Sequence, residues 1–146
     1  MIHLYLALPL LMSPLSLPAT QDPECSVGRA TIFVDRFADL PDEIRQDILK
    51  TGKMAEPGEA FEGTDSITDS SLPRRRFVRG GLSNDQWFAW VYHGGFAPHY
   101  DVFGYRKLWE TRDTFRWYRA AELQGDPCVA INAFLDGVRT PQRSGH

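Results

Sequence analysis

Apolar and polar residues are arranged in three different ways along this chain, and each arrangement predicts a different element. Residues 1–19 contain no Asp, Glu, Lys or Arg, and the largely apolar stretch 2–17 is interrupted by Pro9 and Pro14. A membrane-spanning helix needs about 20 apolar residues and disfavours internal proline. The apolar core of a secretory signal needs only about 7–15. Leu17-Pro18-Ala19 ends on a small residue suited to cleavage. Residues 1–19 are therefore expected to be a signal peptide, 20–137 a single globular domain, and 138–146 a flexible C-terminal tail.

Two stretches carry helical signals. Asp39-Leu40-Pro41-Asp42-Glu43 reads as a helix start, with proline suited to the first position and acidic residues complementing the dipole. Ile44, Ile48 and Leu49 form an apolar stripe, and Gly52 is placed to end it, with Lys50 and Lys53 close by. Leu40-Pro41 followed by Glu43-Ile44 resembles the opening of an F-box over this short stretch alone. The strand-rich remainder and the export signal contradict that family, so no property is carried over. The second helix runs from Asp126-Pro127 to Leu135 and stops at Gly137, with Val129, Ile131, Phe134 and Leu135 on its apolar side.

Between them, four strand-like runs cover residues 74–79, 85–93, 99–107 and 114–121, and 31–34 is also strand-like. The turn signals are Gly80-Gly81 with Ser83-Asn84, then Gly94-Gly95 with Pro98, then residues 110–113. Connections this short exclude parallel crossovers, so the runs predict an antiparallel meander. Symmetric hairpins would pair Arg79 with Asp85 and Phe77 with Trp87, then His93 with His99 and Val91 with Asp101, then Leu108 with Phe115 and Arg106 with Trp117. One face would then carry Phe77, Trp87, Ala89, Val91, His93, His99, Asp101, Phe103 and Tyr105. The other would carry Arg74, Arg76, Phe88, Trp90, Tyr92, Tyr100, Val102, Arg106, Phe115 and Trp117. The fold expected is α+β: an antiparallel meander of about four strands, two short helices on one side, and one disulfide. The polar stretch 53–73 is long for a structureless loop. It is either a lid or it hides a short element near Ala60-Phe61. Asp65 and Asp69 lack calcium-loop spacing and read as solvated carboxylates.

Composition sharpens this picture in two places. Cys25 and Cys128 are the only cysteines of the 146 residues. An even count in an exported chain predicts a bridge between them. Neither has a Cys or His at metal-ligand spacing, and Pro23-Glu24 before Cys25 gives no lipidation context, so no stable membrane anchor is expected. The net charge of −3 is unevenly spread: residues 22–72 carry −7 and residues 73–146 carry +4. That balance is too mild for a nucleic-acid partner, and it suggests two halves that pack with complementary charge.

Candidate chemistry is confined to two clusters. His93, His99 and Asp101 would lie together on one face, and two imidazoles with a carboxylate can ligate a divalent metal or exchange protons. His93-Gly94-Gly95 is similar to the oxyanion-hole segment of lipases, but the Gly-x-Ser-x-Gly elbow of that fold is missing. Phosphate-binding glycine motifs are missing as well. The second cluster is Arg74, Arg76, Trp90, Tyr92, Arg106 and Trp117, where guanidinium groups beside aromatic faces would suit a protein or an anionic glycan. The alternative for this cluster is arginines that snorkel over a covered sheet. By elimination, the sequence favours a periplasmic or secreted, non-catalytic binding or inhibitor-like module without a cofactor. The alternative is a small metal-dependent hydrolase centred on His93, His99 and Asp101.

Overall fold

The computed structural model describes residues 22–66 and 69–140. The expected signal peptide and residues 141–146 of the expected tail lie outside the described residues. In chain order the elements are β1 (Ile32–Val34), a 3-10 turn (Phe37–Asp39), α1 (Asp42–Leu49), β2 (Arg75–Ser83), β3 (Gln86–His93), β4 (His99–Trp109), β5 (Phe115–Gln124) and α2 (Pro127–Leu135). The strands form one antiparallel sheet in the order β1-β2-β3-β4-β5. The fold is thus α+β, with five strands where about four were expected. The fifth is β1, which pairs along the outer edge of β2 through Ile32–Leu82 and Val34–Gly80.

Both helices form where their punctuation placed them. Pro41 caps α1, accepting the Arg45 N–H at 3.0 Å. Ile44 and Ile48 are fully buried, whereas Leu49 faces solvent. The far end of α1 is closed by Arg75, whose guanidinium donates to the Ile48 and Gly52 carbonyls and to Thr51 Oγ1. Asp126 caps α2, its carboxylate accepting the N–H groups of Cys128 and Val129 at 2.9 and 3.0 Å. Val129, expected on the apolar side, is exposed.

The helices do not share a side of the sheet. Ile44 and Ile48 of α1 pack with Phe77, Ala89, Val91, Phe103 and Tyr105. Ile131, Phe134 and Leu135 of α2 pack with Phe88, Trp90, Val102, Ala120 and Ala121. The reason is in the strands themselves: both faces of β3 and β4 are apolar, and each must be removed from water.

Of the three expected hairpin registers, one stands and two shift. His93–His99 and Val91–Asp101 pair as expected. The first hairpin turns at Asn84 and Asp85, both with positive φ (49° and 60°), so Ser83 meets Gln86 and Leu82 meets Trp87. Arg79 therefore faces Trp90 rather than Asp85, and Phe77 faces Val91 rather than Trp87, with a bulge between Phe77 and Arg79. Gly80 and Gly81 lie inside β2, not in the turn. Gly81 pairs with Phe88, whose ring leaves no room for a side chain there: a Cβ would sit 2.7 Å from its Cε1. In the third hairpin Arg106 pairs with Tyr118 and Lys107 with Trp117. This one-residue shift moves Phe115 and Trp117 to the α1 face.

Stretch 53–73 does contain a short element, but at Ala55 rather than at Ala60-Phe61. Ala55 donates to the Arg75 carbonyl and accepts from Phe77 N–H, both at 2.9 Å, and so extends the cover of the β2 edge. Asp65 and Asp69 are exposed, and Asp69 holds a turn by accepting from Ser71 N and Oγ. At the opposite edge, β5 is capped by Glu43, which accepts from Trp117 N–H, and by Thr140, which bonds to Ala120 and Glu122. The Cys25–Cys128 disulfide spans 103 positions and ties the segment before β1 to the first turn of α2. The two halves of opposite charge meet in the pairs Asp22–Arg76, Asp35–Arg79 and Asp47–Arg119.

Candidate functional site

His93, His99 and Asp101 do come together at the end of the α1 face. The register sets the two imidazoles opposite each other, stacked at 4.8 Å with 10° between planes. His93 Nδ1 lies 2.9 Å from the Gly94 carbonyl, and His99 Nδ1 lies 2.8 Å from the Ala97 carbonyl. A carbonyl only accepts, so both Nδ1 atoms carry protons and both rings present Nε2. His99 Nε2 stands 3.4 Å from Asp101 Oδ2 and 3.5 Å from the Gln124 amide. Asp101 is buried, and its Oδ1 has no hydrogen-bond partner among the described residues. Among the described residues, no group of three or more His, Cys, Asp or Glu side chains is arranged to hold a metal ion.

The six residues expected to form one arginine–aromatic surface are divided by the structure. Trp90 is only 3% exposed, covered by the α2 layer. Arg106 is tied down, donating to Gln86 Oε1 and to the Phe134 carbonyl while its guanidinium lies 4.6 Å from the Phe134 ring. Burial lowers its pKa from the usual arginine range. Trp117 is on the opposite face, and Arg74 is exposed at the end of the sheet. Only Arg76 and Tyr92 remain together, paired across β2 and β3 and joined by Tyr100 on β4. Burial, then the hydrogen bond from the Tyr100 hydroxyl to Asp22, pushes the Tyr100 pKa up to about 12.

An aromatic surface does exist, in a different place. Strand β3 ends its pairing with β4 at Tyr105, while β4 and β5 continue to the Trp109–Phe115 pair. The two strands therefore project as a ribbon beyond the rest of the sheet. Trp109 is 58% exposed, Leu108 41% and Phe115 40%. The Trp109–Phe115 and Phe115–Trp117 rings meet edge to face at 5.2 and 5.4 Å, and Lys107 Nζ lies 4.6–5.7 Å from all three. Exposed aromatic rings held by neighbouring rings and a cation are pre-organised for contact. Trp109 was not singled out from the sequence, and Phe115 was expected on the opposite face without a site role, although their position flanking the third turn was visible there.

Comparison with known families, curated proteins and solved structures gives no match for this chain. Its chemistry has to be read from its own residues.

Proposed function

We propose that the protein is an exported, non-catalytic binding module, inhibitor-like in shape, whose contact element is the β4–β5 ribbon. The observation that carries this reading is the exposed Trp109, Phe115 and Leu108 where β4 and β5 run on past the last pair of β3. Aromatic residues of this kind dominate protein–protein contacts, and a projecting ribbon suits a partner's cleft. Export is supported by the disulfide, since oxidising compartments maintain such bridges. No helix among the described residues is long and apolar enough to cross a membrane. A photo-crosslinking residue in place of Arg112, exposed in the turn between β4 and β5, should trap one partner from the exported fraction of the source cells. Capture by the native ribbon should be lost in Trp109→Ser/Phe115→Ser, and equal capture by both forms would overturn the proposal.

A second reading is a metal-dependent hydrolase at His93, His99 and Asp101. It is favoured by one observation: both imidazoles fix Nδ1 on backbone carbonyls, the usual arrangement behind a metal ligand. Zinc titration of the native protein, with His93→Ala and His99→Ala as controls, separates the two. The binding-module reading expects no stoichiometric zinc uptake. Tight uptake lost in both variants would establish the hydrolase reading in its place.

A further inference from the structure

Arg76, Tyr92 and Tyr100 stand in one row across β2, β3 and β4 because the ladder pairs each with the next. The Arg76 guanidinium lies 5.4 Å from the Phe61 ring and 5.7 Å from the Tyr92 ring. Its Nη1 and Nη2 donate to the two oxygens of Asp22 at 2.8 Å each, and the Tyr100 hydroxyl donates to Asp22 Oδ1 at 3.0 Å. Two donors from Arg76 on β2 and one from Tyr100 on β4, with Tyr92 of β3 between them, thus converge on one carboxylate; the bidentate arginine fork gives strong and specific recognition of acidic groups.

The two halves of this contact differ in kind. The donors are fixed by the sheet. The acceptor belongs to a stretch outside every helix and strand, and its nearest covalent anchor is the Cys25 disulfide three residues on. Beside Asp22 lies a cavity of about 530 Å³, lined by Arg76, Tyr92 and Tyr100 of the sheet and by residues of stretch 53–73, Phe61 and Glu59 among them. That volume is within the range of ligand sites, roughly 300–1,000 Å³.

We propose that the Arg76–Tyr92–Tyr100 row is a receptor for an acidic side chain of a partner peptide, and that Asp22 occupies it as an internal stand-in ligand. This site is separate from the ribbon and does not depend on it. A peptide is favoured over a sugar acid because the occupant is itself an aspartyl side chain. The aromatic walls also meet edge-on, with Phe61 and Tyr92 at 90°, and offer no flat platform for a sugar ring. A carboxylate on a short tether acts at an effective concentration of order millimolar, so with an intrinsic affinity of about 0.1 mM for the row it would weaken any competitor roughly tenfold.

The test uses the mature chain as wild type, Asp22→Asn, Asp22→Ala and Asp22→Ala/Arg76→Ala. The probe is an acetylated, amidated peptide with the sequence of residues 20–24, titrated by NMR. Near-UV circular dichroism and an intact disulfide report folding. The peptide should bind Asp22→Ala at least about tenfold more tightly than wild type, with Asp22→Asn following the same direction. Adding Arg76→Ala should abolish binding. Equal affinity for wild type and a folded Asp22 variant, no binding to either folded variant, or tighter binding of glucuronic acid than of the peptide would each overturn the proposal. Loss of the fold in both Asp22 variants would do so too, by assigning the contact to the core.

Discussion

At the scale of single residues, the network around Asp47 sets a pH dependence. Tyr105 hydroxyl donates to Asp47 Oδ2 at 2.8 Å and Arg119 Nε donates to it at 2.9 Å. Burial alone would raise the Asp47 pKa, but the Tyr105 hydrogen bond and the Arg119 charge outweigh it and hold it below the usual value. Desolvation, with Asp47 adding to it, drives the Tyr105 hydroxyl strongly upward. A depressed carboxylate contributes stability that is complete above the unfolded pKa, about 3.9, and is lost as pH falls through the folded value. Urea midpoints from neutral pH downward should show this loss in wild type. Asp47→Asn should be less stable at pH 7 and flatter below pH 4, and an equally steep acid limb in the variant would count against the network. Gly104 makes a steric prediction. A Cβ there would collide with the Phe134 ring of α2, so Gly104→Ala should cost about 1–3 kcal/mol in equilibrium unfolding. The pairing of Asp47 with Arg119 could not be read from the chain, because it depends on which helix lies on which face. The helix starts near Pro41 and Asp126 and the stop at Gly137 could, because such signals act within a single turn, although Pro41 stands one residue before the first helical position where it was expected.

At the scale of elements, the ribbon should be dispensable for folding. Trp109 and Phe115 lie beyond the pairing of β3, so Trp109→Ser/Phe115→Ser should change stability by less than about 1 kcal/mol while removing partner contact. A large loss of thermal stability in that variant would reassign both rings to the core. Register explains which parts of the site were legible. The second hairpin is centred on Phe96, where Gly94-Gly95 and Pro98 place its turn, so His93 meets His99 as expected. The first and third hairpins each contain a bulge, at Phe77/Arg79 and at Gly104/Tyr105. Each bulge changes parity only for residues on its far side from the turn, such as Phe77; the pairs nearer the turns moved because the turns themselves are centred elsewhere than expected, on Asn84-Asp85 in the first hairpin and on Arg112 in the third. That is why Trp117 was expected beside Arg106 and is instead opposite Lys107. The glycines misled for a related reason: Gly80 and Gly81 give up their side chains to Leu40 and Phe88, a packing demand that resembles a turn signal in one dimension. Asn84-Asp85 was the better signal, since both residues tolerate the positive φ that such a turn needs.

At the scale of the whole molecule, the disulfide is the largest single constraint. Closing a loop of 103 positions should contribute about 4–5 kcal/mol in the chain-entropy model, so Cys25→Ala/Cys128→Ala should lower unfolding stability by up to that amount. An unchanged midpoint under reducing and oxidising conditions would contradict it. The sheet's order has a further consequence, for the time course of folding. Strands β2 to β5 are neighbours both in the chain and in space, so their contacts close short loops and form early. Strand β1, α1 and α2 come from the two ends and bring their long-range contacts afterwards. The bridge therefore joins parts that assemble late. Oxidation should leave the folding rate nearly unchanged and slow unfolding instead. The meander supplies the speed of assembly, and the bridge supplies the persistence of what has been assembled.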